Sequence, residues 1–126
     1  MIQKISKVTL YVENQESAKE FWLSKLNFVV TLEQPMGQNL VWLEVSPNEN
    51  SDTSFVLYEK ELMKKQNPET NTAHPSIFLS TKDINSTYED LKSKNVRVTE
   101  LMTFPYGSMF TFYDQDNNSY LIREDK

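Results

Sequence analysis

The strongest constraint on this chain is a pattern that runs twice: an alternating strand, an amphipathic helix, then three more strands. In the first run, Ile5 to Val12 alternates, with Val8, Leu10 and Val12 on one side and Lys7, Thr9 and Tyr11 on the other. Asn14 reads as a helix N-cap with Glu16 in the first turn. Ala18, Phe21 and Trp22 follow at helical spacing. Asn27 ends that helix as a left-handed residue, a position where Asn substitutes for Gly. Strands are expected at 28–32, 40–45 and 54–58, with a turn at Gln34-Pro35-Met36-Gly37 and a short helix at 59–66. The second run begins at Ser76, with Asp83 capping a helix to about Ser93 and Asn95 ending it. Strands at 96–102, 109–113 and 119–123 complete it. Lys7 to Asn27 spans 20 positions and Ser76 to Asn95 spans 19, so the halves repeat as supersecondary units.

Asn67 to His74 reads as the linker between modules at about 1–66 and 75–126 of a single 1–126 domain. A chain of 126 residues suits one domain with a real core. The chain has only two glycines, and Asn27, Asn95 and Asn117 stand at turns where positive φ is wanted. The formal charge of −5 and the absence of a basic stripe disfavour nucleic acid. Without cysteine there is no disulfide, thiolate catalysis or iron–sulfur site. The segment MIQKISKVTLYV does not read as a signal peptide, and no segment approaches a membrane span. A cytoplasmic protein without membrane or nucleic-acid partners is therefore expected.

Three segments carry a family resemblance: KVTLYVENQESAKEFWLSKLNFVV, PSIFLSTKDINSTYEDLKSKNVRV and FTFYDQDNNSYLIRED. In this order and spacing the chain resembles the vicinal oxygen chelate superfamily, which includes glyoxalase I, bleomycin resistance proteins and extradiol dioxygenases. The last segment is similar to the family's "DPDGN" turn and closing strand. The resemblance implies an α+β fold of two tandem βαβββ modules, forming a curved mixed sheet around a cleft with helices on the convex side. It also implies a homodimer.

Enzymatic members of that family bind one divalent metal through His or Glu on four strands. The matching positions here are Lys7, Val56, Ser76 and Leu121. An ammonium repels a cation, Val and Leu have no donor, and a neutral hydroxyl is a weak ligand. His74, the one histidine, reads as an exposed linker residue, although a register slip of two would keep it on the ligand face. Asp114 and Asp116 read as turn formers. No metal and no other cofactor is expected.

If the apolar stripes face the helices, the opposite stripes face the cleft. That expectation gives Lys7, Thr9, Tyr11, Leu40, Trp42, Glu44, Val56 and Tyr58 from the first half. From the second it gives Ser76, Phe78, Ser80, Phe110, Phe112, Leu121 and Arg123. The candidate ligand-binding residues are Lys7, Tyr11, Trp42, Glu44, Tyr58, Phe78, Phe110, Phe112 and Arg123, with none assigned as catalytic. Rings would stack on a flat or bulky small molecule, Lys7 would pair with Glu44 or with an anionic ligand group, and Arg123 would hold a carboxylate or phosphate, the alternative being that Lys7 and Arg123 simply lie at the sheet rim. The resemblance then implies a metal-independent binding protein like the bleomycin resistance members, with a role in antibiotic resistance. Its alternative is a metal-dependent glyoxalase-like lyase or isomerase, or a dioxygenase.

Overall fold

A computed structural model describes residues 1–125. The chain divides into two compact units, Met1–His74 and Pro75–Lys126. In the first unit β1 (Lys7–Val12), α1 (Gln15–Ser24), β2 (Val29–Gly37), β3 (Leu40–Ser46), β4 (Ser54–Glu59) and α2 (Lys60–Gln66) follow one another. In the second come β5 (Phe78–Thr81), α3 (Ile84–Ser93), β6 (Met102–Phe104), β7 (Gly107–Tyr113) and β8 (Ser119–Glu124). The sheets have the orders β1-β4-β3-β2 and β5-β8-β7-β6. In both, the first strand lies parallel to the fourth and the remaining pairs are antiparallel. The fold is therefore α+β, built from two tandem βαβββ modules.

Local chemistry explains the helix limits. The Asn14 side chain accepts from the Ser17 amide at 2.9 Å, and the Asp83 side chain accepts from the Ser86 amide at 3.0 Å. The Ile84 amide, another N-terminal donor of α3, finds the Glu124 carboxylate at 3.1 Å. At the end of α3, Asn95 adopts φ 63°, its amide donates to Lys92 O, and the Val96 amide donates to Leu91 O. Those two bonds, with Leu91 and Val96 both buried, form a Schellman cap. Asn27 and Asn117 also have positive φ, at 58° and 63°.

The first core packs α1 on its sheet. Trp22, with 0% of its surface exposed, meets Phe28 at 4.8 Å, Phe55 at 5.2 Å and Phe21 at 5.5 Å between ring centroids. Leu10, Val12, Leu43, Val45 and Leu57 are buried from the strands. In the second unit Tyr88 of α3 meets Phe110 at 4.9 Å, and Phe112 stacks on Tyr120 at 5.0 Å.

Two expectations about strands are corrected. The expected turn at Gln34–Gly37 is strand, and the reversal falls at Gln38-Asn39, with φ 55° and 63° between the paired Gly37 and Leu40. Positive φ at both central residues matches the right-handed twist of a hairpin. Pro35 is accommodated because β2 is an edge strand, where its missing N–H interrupts no second ladder. The expected strand at 96–102 is reduced to a single bridge, Val98 to Phe112, with regular pairing only from Met102.

Asn95→Ala should cost about 1 kcal/mol, the penalty for a Cβ in left-handed backbone, whereas Asn95→Gly should stay within a few tenths of wild type. Urea unfolding of both variants checks this; equal losses would mean that the Asn95 side chain, and not its φ, supports the cap.

Candidate functional site

On the first unit's sheet, the side away from α1 carries one connected polar and aromatic group. The parallel register sets Lys7 beside Ser54, Thr9 beside Val56 and Tyr11 beside Tyr58, while Glu44 faces Val56 across β3 and β4. Period-two alternation puts Trp42 and Ser46 on the same side as Glu44. Glu44 is only 4% exposed. Its Oε1 accepts from Lys7 Nζ at 2.7 Å and its Oε2 accepts from Trp42 Nε1 at 2.7 Å. Behind it, Ser46 and Ser54 hydroxyls are 2.7 Å apart, and Thr31 Oγ1 lies 3.3 Å from Ser46 Oγ.

Burial alone would raise the Glu44 pKa. The hydrogen bonds from Lys7 and Trp42 and the Lys7 charge outweigh it, so the carboxyl titrates below its ordinary range. Tyr58 joins the rings: it lies 6.2 Å from Trp42 and 6.3 Å from Tyr11, both edge-on. Its hydroxyl donates to Gln66 of α2. Beside Tyr58, a small open groove runs between Leu62 and the β2–β3 hairpin residues Met36, Asn39 and Leu40. Gln15 steadies its wall by donating to Val41 O and Leu57 O, both at 2.9 Å. Sequence reasoning did not single out Gln15, Leu62 or Gln66, whose roles depend on partners far along the chain.

In the second unit, Phe110 and Phe112 are not on the open side, which corrects their assignment as ligand-binding residues. Both are fully buried, and they pair with Ile122 and Tyr120 on the α3 side of the sheet. The open side of β7 carries Met109, Thr111 and Tyr113 instead. Phe78, 66% exposed, pairs with Leu121 in register. The Arg123 guanidinium lies 5.7 Å over the exposed Tyr106 ring and donates to Tyr106 O at 3.4 Å. Ser76 is exposed and precedes β5.

The donor set does not suit a transition metal. Among the four matching positions, Lys7 presents a cation already bonded to Glu44, Val56 is buried and donorless, and Ser76 and Leu121 offer one hydroxyl between them. Among the described residues no three His, Asp or Glu side chains gather as a metal cluster. Asp114 is spent on its turn: Oδ1 accepts from the Asp116 and Asn118 amides, and Oδ2 from the Tyr120 hydroxyl at 2.6 Å. Burial and the Asp114 charge push the Tyr120 phenol pKa up.

Residues 4–121 match the Glyoxalase/Bleomycin resistance protein/Dioxygenase superfamily. The chain belongs to that superfamily. Its relative YetH of Bacillus subtilis, an uncharacterized protein, is 36% identical over 98% of this chain and 100% of its own length. TnmS3, an antibiotic binding protein from a Streptomyces species, superimposes with a TM-score of 0.80 at 26% identity, covering 99% of this chain and 98% of that one. A superfamily member from Sphaerobacter thermophilus shares the fold with a TM-score of 0.82 at 23% identity, over 98% of both chains.

Because the folded Glu44 pKa lies below the unfolded value of about 4.3, its contribution is complete above that value and is lost as pH falls through the folded pKa. Glu44→Gln should cost on the order of 1 kcal/mol at pH 7, discounted for the half-exposed Lys7. Urea unfolding at pH 7 and pH 3 should show that difference shrinking at the lower pH. An unchanged difference would deny the ion pair its role.

Proposed function

We propose that this superfamily member is a metal-independent small-molecule-binding protein that sequesters a bulky or aromatic ligand. The observation carrying this reading is the Lys7–Glu44 ion pair at 2.7 Å. It puts an ammonium where metal-binding relatives carry a His, and it engages the nearest carboxylate. A divalent cation there would meet a like charge and a carboxylate with both oxygens already bonded. Tyr11 and Trp42, both partly exposed, offer aromatic area beside that polar centre, which suits a ligand with a flat apolar body, and the buried Tyr58 backs them. Phe78 and Arg123 offer a second aromatic and cationic pair on the other unit's sheet. The antibiotic-binding relative TnmS3 supports the same class of ligand and a part in antibiotic resistance. A cytoplasmic homodimer belongs to this reading, on the ground that the family pairs copies to complete its clefts.

Titration with a panel of aromatic drugs should change the intrinsic fluorescence, and the change should vanish in Trp42→Phe. Trp22, sealed in the core, should not respond. Elemental analysis after dialysis against zinc, nickel and manganese should find far less than one metal per chain. Stoichiometric, tightly held metal would overturn the reading in favour of an enzyme that polarises substrate oxygens.

A further inference from the structure

The chemistry of the Lys7–Glu44–Trp42 group restricts the ligand further, on the basis of the binding role proposed above. We propose that the Lys7 ammonium is the specificity-determining donor of the site, and that its ligand presents an uncharged oxygen acceptor, a ketone or quinone-type carbonyl, on a flat aromatic body. Three observations lead there. First, the pair is formally neutral, because the Glu44 carboxylate beside Lys7 cancels its charge at 2.7 Å. An incoming carboxylate or phosphate would gain little from Lys7 and would be repelled by Glu44, whereas an uncharged carbonyl pays no such penalty. Second, the donors are unequally spent. Each Glu44 oxygen accepts one bond, and the Trp42 indole N–H is committed to one of them. Lys7 uses one of its three N–H donors on Glu44 and its side chain is 46% exposed. The ammonium is therefore the accessible part of the group, because the Glu44 carboxylate that holds it is only 4% exposed. Third, the donor stands on the same sheet face as the partly exposed rings of Tyr11 and Trp42, which suit an aromatic body.

The test uses three naphthalenes that differ only in their polar group: 2-acetylnaphthalene, 2-naphthoate and 2-naphthylmethylammonium, each measured by ligand-observed NMR against the full chain. The acetyl compound should bind most tightly. Lys7→Met should weaken it about tenfold, to the level of the cation or below. Glu44→Gln removes the cancelling charge while keeping an amide oxygen for a donor, so it should move the naphthoate-to-acetyl affinity ratio at least tenfold toward naphthoate. Circular dichroism confirms that each variant is folded, and Lys7→Met serves alone if Glu44→Gln is not. Binding of the probes with naphthoate preferred by wild type, or with preferences unmoved by both substitutions, refutes the carbonyl assignment and leaves the binding role standing. Binding of none of the three, together with silence across the drug panel, removes the binding role and this inference with it.

Discussion

The character of the first unit's open face depends on one buried carboxylate. A lone Glu at 4% exposure would be costly, and it would be neutral or would draw in water or a cation. Here Lys7 from β1 and Trp42 from β3 each take one oxygen. Neither partner is close in the chain to the other, and β4 lies between their strands. The group thus links β1 to β3 across β4 on the side that α1 does not cover. It also leaves the half-exposed Lys7 ammonium as the accessible end of the group.

The two faces of this sheet divide their rings by function of position. Trp22, Phe21, Phe28 and Phe55 pack at 4.8–5.5 Å around Trp22 and exclude water from the α1 side. Tyr11, Trp42 and Tyr58 are spaced more widely, at 6.2–6.3 Å, and all three carry a polar tip. Rings with a polar tip suit a boundary between apolar surface and water, and Tyr11 and Trp42 lie partly exposed there while Tyr58 is buried behind them.

Much of this was legible in the sequence because it depends on local chemistry. Asn14 and Asp83 announce helix starts, and Asn27, Asn95 and Asn117 announce positive φ, because each effect acts within a few residues. The repeat was legible because the two modules use the same devices in the same order. The hairpin was misplaced because Pro35 and Gly37 look like a turn, while the sheet position that makes a proline acceptable is set by tertiary pairing. Phe110 and Phe112 show a different failure. The rule that the apolar stripe faces the helix was sound, and in β7 the apolar stripe is Phe110 and Phe112 against Met109, Thr111 and Tyr113. The alternation was applied to β7 in the wrong phase, which set Phe110 and Phe112 on the side of Leu121 and Arg123, whereas they pair with Ile122 and Tyr120.

That error bears on how the candidate site is read. Large apolar side chains are the material of cores, so a ring earns a place in a binding face only when its surroundings leave part of it wet or tie its polar tip to a neighbour. Trp42, partly exposed and bonded to Glu44, meets that condition, whereas Tyr58 is buried and keeps only its bond to Gln66. Phe110 and Phe112, sealed at 0% exposure, do not. Lys7 completes the distinction. Its aliphatic stem follows the sheet while its ammonium is held by Glu44, so a residue that would read as a rim charge in the sequence becomes the one cation of that three-residue group. At the strand position that matches a metal ligand of related enzymes, this chain carries a lysine whose charge Glu44 balances, a hydrogen-bond donor in place of an electron-pair donor.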